Sequence, residues 1–257
     1  MSGHSKWSQI KRQKGANDAK RGQLFTKLGM SITLAVKLGG GEDKASNVRL
    51  RFALEQAKGA NMPKKNIERA IDRGMGRTED EARIEEIRYE GYGPKGIAFL
   101  VDAATNNRQR TVTVIKNLFE RNGGTLASHG AVAWQFEPAT TLTVEAKGIS
   151  KDSVSLQLID AGADDVDVAG ERVIAYTKNP GNFSPFRAEV EKLPYPIVDV
   201  AFTMRPKTTI QITDPVEARK ILSLTDVLED ADDVQQVYAN FDIPDDVLNT
   251  LSSEGNL

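Results

Sequence analysis

The spacing of the apolar residues changes near residue 84, and this change limits the folds that the chain can adopt. Before it, apolar residues such as Leu24, Leu28 and Ile32 recur every three or four positions, which is the period of an amphipathic helix. After it, the pattern moves toward the alternation of strands, and turn residues recur at regular intervals. The sequence therefore predicts a helical N-terminal part followed by a mixed α+β part.

Three helices are predicted before the change of period. The first covers about 16–38 and ends at consecutive glycines 39–41, and the second covers about 46–58 and ends before Gly59. The third opens near Pro63, which suits a first helical turn, and ends before Gly74. Short glycine-rich joints between amphipathic helices are typical of a small bundle or a helical hairpin with a third member.

The order of elements after residue 84 predicts one unit inserted into another. Strands at 85–90 and 97–103, a helix at 108–121 and a strand containing Trp134 and Phe136 form an incomplete unit. Beyond Pro138 the order is strand 140–146, helix 151–161, strands 165–168 and 172–176, helix 184–192 and strand 197–204, which is the ferredoxin-like βαββαβ order. A strand at 208–212, a helix at 215–229 and a strand at 234–240 follow, and they are too few to stand alone.

These elements predict an α+β fold with a ferredoxin-like domain inserted in a second α+β domain. The predicted domains are a basic helical domain at 1–77 with an extended basic arm at 1–15, an α+β domain at 78–137 plus 206–241, the inserted domain at 138–205, and a C-terminal tail at 242–257.

Positive charge is concentrated at the front of the chain. Residues 1–77 hold 17 Lys and Arg against 6 Asp and Glu, whereas the remaining residues hold 17 against 30. The net charge of −2 therefore conceals a dipolar molecule whose front should attract polyanions, of which nucleic acid is the obvious one.

The composition also excludes several classes of chemistry. The chain has no Cys, so disulfides and thiolate nucleophiles are excluded, and His4 and His129 alone are thin material for a metal site or a catalytic triad. No apolar run approaches the roughly 18 residues of a membrane span, and no apolar segment resembles a signal peptide. We therefore expect a cytoplasmic, non-enzymatic protein without cofactor, metal, membrane partner or small-molecule substrate.

The candidate binding residues are cations of the helical domain, two ring-bearing side chains near the start of the chain, and a second pair of arginines. Cations neutralise phosphates and release counterions, while an indole can stack on an unpaired base. The alternative for the opening segment is a solubilising, frayed terminus, but the positive excess continues through Arg69, Arg73 and Arg77. The candidate nucleic-acid contacts are His4, Lys6, Trp7, Lys11, Arg12, Lys14, Lys20, Arg21, Lys27, Lys37, Arg49, Arg51, Lys58, Lys64, Lys65, Arg108 and Arg110.

Three further motifs have competing interpretations. Gly91, Gly93 and Gly96 satisfy the spacing of a dinucleotide fingerprint, but a strand follows them instead of a helix, so they predict a turn. The segment 105–111 joins a strand to a helix, and it suits either phosphate binding by Arg108 and Arg110 or plain helix capping. Aspartates at 164, 165 and 167 could suggest a divalent ion, but no metal-site spacing supports one, and a solvated strand edge is the better interpretation.

A set of short motifs carries a resemblance to a known family, and these motifs are dense up to about residue 137. They include Gly3-His4-Ser5-Lys6-Trp7, Asp18-Ala19-Lys20-Arg21-Gly22, Phe25-Thr26-Lys27, Asn61-Met62-Pro63-Lys64, Tyr89-Glu90-Gly91-Tyr92-Gly93-Pro94, Thr105-Asn106-Asn107-Arg108 and Gly123-Gly124. In these motifs the sequence resembles the YebC/PmpR family, whose mitochondrial relatives are translational activators.

This resemblance implies the same three-domain arrangement and a regulator of gene expression. A DNA-binding transcriptional regulator is the first hypothesis. A ribosome-associated or RNA-binding factor that assists translation, including through proline-rich stretches, is the second. Its target would be ribosomal or transfer RNA, because no helix-turn-helix reader is recognisable. A protein-interaction scaffold whose cationic face docks an acidic protein is the third.

Overall fold

Three helices form the N-terminal part of the structure, a computed structural model that describes residues 18–78 and 84–253. They are α1 (Asp18–Leu38), α2 (Val48–Gly59) and α3 (Lys64–Gly74). Their shared core contains Ile32, Ala35, Leu50 and Ala57, all fully buried. Pro63 lies one position before the first helical residue of α3, where its fixed φ directs the chain into the helix.

Asn47 joins the end of α1 to the start of α2. Its side-chain oxygen accepts the Leu50 N–H at 2.9 Å and thereby caps α2, while its amide donates to the carbonyls of Ala35 and Gly41 at 2.8 and 2.7 Å. One buried side chain therefore satisfies backbone groups on both helices, which would otherwise be unpaired in the core.

A four-stranded antiparallel sheet follows, in the order β3-β1-β2-β9. Its strands are β1 (Glu85–Tyr92), β2 (Ala98–Thr105), β3 (Thr125–Ala127) and β9 (Val234–Ala239). Helices α4 (Arg108–Arg121) and α7 (Pro215–Glu229) cover one face, where Phe99, Phe119 and Leu224 are fully buried. Gly93 and Gly96 lie in the β1–β2 turn, so the prediction of a turn in place of a dinucleotide site is confirmed.

The second sheet lies between β3 and β9 in sequence and is antiparallel, in the order β5-β6-β4-β7. Its strands are β4 (Phe136–Glu145), β5 (Asp165–Ala169), β6 (Arg172–Thr177) and β7 (Ile197–Pro206). Helices α5 (Lys151–Asp160) and α6 (Pro180–Val190) pack on one face, where Leu158 of α5 lies in one core with Leu142 and Val144 of β4. The α+β fold with an inserted ferredoxin-like unit is therefore present.

The segment after β7 returns to the first sheet and contributes residues to its core. Short strands β8 (Ile210–Gln211) and β10 (Phe241–Asp242) pair in parallel, and helix α8 (Asp245–Ser253) follows. Residues 242–257 are predicted as a tail, and this is wrong for the described part. Val247, Leu248 and Leu251 of α8 are buried in the core of the first sheet.

Trp134 is the other clear departure from the sequence prediction. It lies in a single 3₁₀ turn (Ala133–Gln135) and not in a strand, and β4 begins only at Phe136. Pro138 does not interrupt β4, because it pairs with Met204 within a continuous strand. The limits 138 and 205 of the inserted domain stay a prediction, and β4 and β7 extend beyond them to Phe136 and Pro206.

Within the described ranges, no helix is both long and apolar enough to cross a membrane.

Candidate nucleic-acid interface

The outward face of α3 carries a row of cations. Lys65, Arg69 and Arg73 are spaced four residues apart, so they lie on one face of the helix with a rise of about 6 Å between neighbours. All three are exposed, and none forms an ion pair with any residue in 18–78 or 84–253. The opposite face of α3 is apolar, with Ala70 buried in the helical core.

Close packing against α1 fixes the direction in which this cation row points. A Cβ on Gly74 would lie 2.7 Å from the Cβ of Val36 and 2.8 Å from the carbonyl oxygen of Thr33, so α3 needs glycine here. The Thr33 hydroxyl donates to the carbonyl of Ala70 at 3.0 Å, which adds a buried interhelical bond. The rotation of α3 about its axis is therefore set by α1, and the cations face away from the bundle.

Lys58 and Lys64 are two further exposed cations, at the end of α2 and the start of α3. Lys58 is exposed at the end of α2, and Lys64 lies 3.6 Å from Glu68, with its side chain 90% exposed. An exposed pair of this kind is weak, so Lys64 remains available to an external anion. We name Lys65, Arg69 and Arg73 the α3 cation row.

Three acidic residues of the helical part bind arginines outside the α3 cation row. Arg77 binds Glu42 at 2.8 Å and Asp72 at 3.3 Å, and its hydrogen bond lowers the pKa of Glu42. Glu55 accepts from Arg187 of α6 at 3.0 Å. These three carboxylates therefore do little to neutralise the α3 cation row.

Three predicted contacts point instead toward the rest of the molecule. Arg49 binds Glu86 of β1 at 2.6 Å, and the Lys37 ammonium donates to the carbonyl of Ile84 at 3.2 Å. The Lys27 ammonium donates to the carbonyl of Glu229 at the end of α7. These side chains tie the helical part to the first sheet, which is a structural role that the charge pattern alone does not reveal.

Two predicted contacts on α1 and α2 remain on the surface. Arg51 is exposed and has no ion pair among the described residues, while the Arg21 guanidinium lies 5.5 Å from the centre of the Phe25 ring. His4, Lys6, Trp7, Lys11, Arg12 and Lys14 lie outside the described residues, and for Lys20 the structure describes only the helical backbone.

A cleft of about 1340 Å³ lies between the helical part, the first sheet and the second sheet, and residues of all three line it. Its lining mixes both signs of charge: Arg88 and Asp102 face it as a pair with two contacts of 2.6 and 2.8 Å. Glu86 and Glu229 also line it. Carboxylates in the lining repel phosphate, so the α3 cation row suits a polyanion better than this cleft does.

The two arginines of the segment 105–111 differ in their binding partners. The Asn107 side chain caps α4 by accepting the Arg110 N–H at 3.0 Å, and the Arg110 guanidinium binds both oxygens of Asp233 at 2.9 and 3.0 Å. The Thr111 hydroxyl donates to the same carboxylate at 2.6 Å. Arg108 is exposed without an ion pair in the described ranges, so it alone of the two is free for phosphate.

The aspartates at 164, 165 and 167 are each occupied by groups of the protein. Asp164 accepts the Lys178 N–H at 2.8 Å, Asp165 pairs with Arg205, and Asp167 accepts the Tyr176 hydroxyl at 3.0 Å. The prediction that Asp167 lies on a solvated edge is wrong, because its residue is 8% exposed. The part of the chain that the structure describes contains no cluster of potential metal ligands.

Arg69 and Arg73 are the residues that sequence reasoning undervalued. They contribute to the positive excess of the helical part but are not among the predicted nucleic-acid contacts. Lys65, Arg69 and Arg73 follow one another at intervals of four residues, which places all three on one helical face. The signal was available once a helix beginning near Pro63 was predicted.

Comparison with known proteins gives a consistent result over nearly the whole chain. One family model, "TACO1/YebC protein N-terminal domain", matches residues 5–77, and another, "TACO1/YebC second and third domain", matches residues 84–241.

Relatives named "Probable transcriptional regulatory protein" include one from Moorella thermoacetica, 47% identical over 252 residues that cover 98% of this chain and 99% of the relative. Another, from Dictyoglomus thermophilum, is 46% identical over 253 residues, covering 98% of this chain and all of the relative. A crystal structure of a conserved hypothetical protein from Aquifex aeolicus is similar with a TM-score of 0.81 and 44% identity, covering 89% of this chain and 93% of that chain.

Proposed function

The chain belongs to the TACO1/YebC family, and we propose that it is a non-enzymatic regulator of gene expression that binds nucleic acid through the α3 cation row. The names of its relatives support a role in transcription. It acts in the cytoplasm, without a cofactor or small-molecule substrate.

The observation that carries the proposal is the set of cations on α3. Lys65, Arg69 and Arg73 are exposed on one face and unpaired within the described residues. Like-charged side chains held about 6 Å apart repel one another, and phosphates along a nucleic-acid backbone relieve that repulsion while releasing counterions. Arg51 and Arg108 are further exposed cations that add to the positive potential. The residues at 4–14 extend the contact surface in this proposal.

The first candidate target is duplex DNA, in keeping with transcriptional regulation. The second is ribosomal or transfer RNA, bound by a factor that assists translation. The exposed Lys and Arg side chains of α3 suit this second target as well as the first. Their contacts to a phosphate backbone do not distinguish one base sequence from another. A reader of DNA sequence instead presents base-contacting side chains from a helix in the major groove.

Charge reversal on the full chain tests the proposal. The triple variant Lys65→Glu, Arg69→Glu and Arg73→Glu should bind a fluorescent DNA duplex, or a folded RNA of equal length, at least about tenfold more weakly than the wild type in fluorescence anisotropy. The matched control is Lys116→Glu, Lys147→Glu and Lys151→Glu, which changes the net charge equally at exposed positions of α4, the β4–α5 segment and α5. Equal affinity of the triple variant and this control would contradict the proposal.

Crosslinking in cells decides between the two targets. Both DNA and RNA fragments attached to the chain are sequenced from the same sample. Enrichment of promoter DNA is expected for a transcriptional regulator, whereas enrichment of ribosomal or transfer RNA would replace it with the translation factor. A complex that survives nuclease digestion and retains neither nucleic acid would favour a protein scaffold.

A further inference from the structure

A buried carboxylate holds the loop between β3 and β4 in one conformation. The Glu90 side chain is completely buried, and its Oε1 accepts the N–H of Gly130 at 2.7 Å. Its Oε2 accepts the N–H groups of Val132 and Ala133 at 2.7 and 2.8 Å. Three charge-assisted bonds to consecutive parts of one loop fix its backbone, because releasing any of them would leave a buried charge or amide unpaired.

Two aromatic side chains, Trp134 of this loop and Tyr92 at the end of β1, bind the same backbone carbonyl of the loop. The Trp134 indole N–H and the Tyr92 hydroxyl both donate to the carbonyl oxygen of Ala131, at 3.0 and 3.1 Å. Sharing one acceptor places these two polar atoms within about 6 Å of each other. We name Tyr92 and Trp134 the aromatic pair.

The aromatic pair remains on the surface even though its polar atoms are satisfied. Trp134 is 67% exposed and Tyr92 is 37% exposed. Since the indole N–H and the phenol hydroxyl are already bound, the remaining exposed surface is the apolar surface of the rings. Two exposed rings beside a loop held in one conformation form a surface on which a planar ligand can stack.

Two basic side chains, Lys207 and His129, lie near the exposed rings. The Lys207 ammonium donates to the carbonyl of Trp134 at 2.8 Å, and its side chain is exposed without a carboxylate partner anywhere in 18–78 or 84–253. His129 lies in the same loop with its side chain 89% exposed. Exposed rings beside a cation match a nucleotide, whose base can stack while its phosphate is neutralised.

We infer that the aromatic pair is a stacking site for an unpaired base, with Lys207 contacting the adjoining phosphate. This inference rests on the proposed function and specifies its ligand as a nucleic acid with single-stranded bases. A paired duplex offers its bases only at edges and ends, so it would use the α3 cation row and leave the aromatic pair unoccupied. A proline-rich peptide is the other ligand that exposed Trp and Tyr can bind, but the neighbouring cation favours the nucleotide.

Substitution of Trp134 tests the site by affinity. Trp134→Ala in the full chain should weaken binding to a 12-nucleotide single-stranded RNA about fivefold to a hundredfold, and leave binding to a 12-base-pair duplex within about twofold. Trp134→Phe keeps an aromatic ring and should retain most of the affinity. Val216→Ala, which shortens an exposed apolar side chain on α7, is the matched control. Equal binding of the single strand by the wild type and Trp134→Ala would overturn the inference.

Fluorescence gives a readout that a merely structural role would not move. The sequence has two Trp residues, so Trp7→Phe leaves Trp134 as the only indole. Saturation with the single strand should quench this indole, whereas unchanged emission at saturation, or quenching by a proline-rich peptide only, would overturn the inference.

The two proposals fail in different ways. If the wild type binds the single strand, the charge-reversed triple variant does not, and Trp134→Ala is unaffected, only the stacking site is wrong. If the wild type binds neither strand nor duplex, the proposed function and the stacking site are both wrong.

Discussion

At the scale of single residues, Glu90 connects a buried charge to a surface feature. Burial by itself raises the pKa of the Glu90 carboxyl, but the N–H groups of Gly130, Val132 and Ala133, together with His129 at 3.3 Å, outweigh it and hold that pKa below its ordinary value. The folded protein therefore favours the ionised form. The contribution of Glu90 to stability is present above the ordinary pKa of about 4.3 and is lost as the pH falls through the depressed folded-state value.

Replacement of Glu90 by Gln should show this dependence. Gln keeps the shape of the side chain, but its amide NH2 group would face at least one backbone N–H, and two donors cannot form a hydrogen bond. The free energy of unfolding at pH 7 should therefore fall by about 2 kcal/mol. The difference between wild type and variant should shrink as the pH is lowered below about 4.3, because the wild-type carboxyl then becomes protonated as well. Urea unfolding at a series of pH values measures it.

The control for this variant is Glu171→Gln, at an exposed position between β5 and β6. Its effect should stay within about 0.5 kcal/mol at every pH. A Glu90→Gln difference that does not change with pH would show that the ionised carboxylate does not hold the loop.

At the scale of elements, the orientation of α3 depends on one glycine. Gly74 allows the end of α3 to approach Val36 and the Thr33 carbonyl of α1. Because Ala70 and Gly74 are four residues apart, they share one face of the helix, and each is rotated about 100° from the cation that precedes it, Arg69 or Arg73. The same contact that packs the helix inward therefore directs Lys65, Arg69 and Arg73 outward.

The substitution Gly74→Ala should destabilise the protein by about 1–3 kcal/mol, since the added methyl group would overlap backbone and a β-branched side chain that cannot move independently. Thermal unfolding followed by circular dichroism measures the change. The matched control is Gly22→Ala in α1, where an added Cβ meets nothing within 4 Å and should stabilise the helix by about 0.5–1 kcal/mol. A Gly74→Ala variant at least as stable as the wild type would contradict this account of the packing.

Elements with a clear local period could be predicted from the sequence. The helix at 108–121 and the helix at 215–229 match α4 and α7 at both ends, because capping residues Asn107 and Asp214 stand directly before them. The element order also predicted the inserted ferredoxin-like unit. The domain limits themselves remain our proposal.

Features set by distant contacts could not be predicted in this way. The turn at Trp134 depends on the Glu90 carboxylate, 42 positions from Val132, and Arg110 is bound by Asp233, 123 positions away. Helix α8 depends on burial of Leu251 against a core formed by earlier elements. No local pattern reveals such partners, so the sequence did not predict which of the candidate cations are bound by other groups of the protein.

At the scale of the whole molecule, the helical part shares a core with the inserted unit. Phe52 of α2 packs edge-on against Phe183 and Phe202, with ring centres 5.3 and 4.6 Å apart. The Arg187–Glu55 contact at 3.0 Å lies in the same junction. The inserted unit therefore buries one side of the helical part, and the α3 cation row lies on a face that this junction leaves exposed.

The separation of charge has a consequence for binding. The front of the chain carries the positive excess and the later segments carry the negative excess. A polyanion should approach the helical part first and be repelled elsewhere, so affinity should depend strongly on salt and weakly on sequence.

The salt dependence of binding tests the account most directly. The dissociation constant of the full chain for a labelled duplex is measured over a range of salt concentrations, for the wild type and for a neutral variant, Lys65→Gln, Arg69→Gln and Arg73→Gln. Each phosphate contact contributes about 0.9 to the slope of log affinity against log salt, so the variant's slope should be shallower by about 2.7. Identical slopes for wild type and variant would contradict the account, because these three side chains would then contact no phosphate.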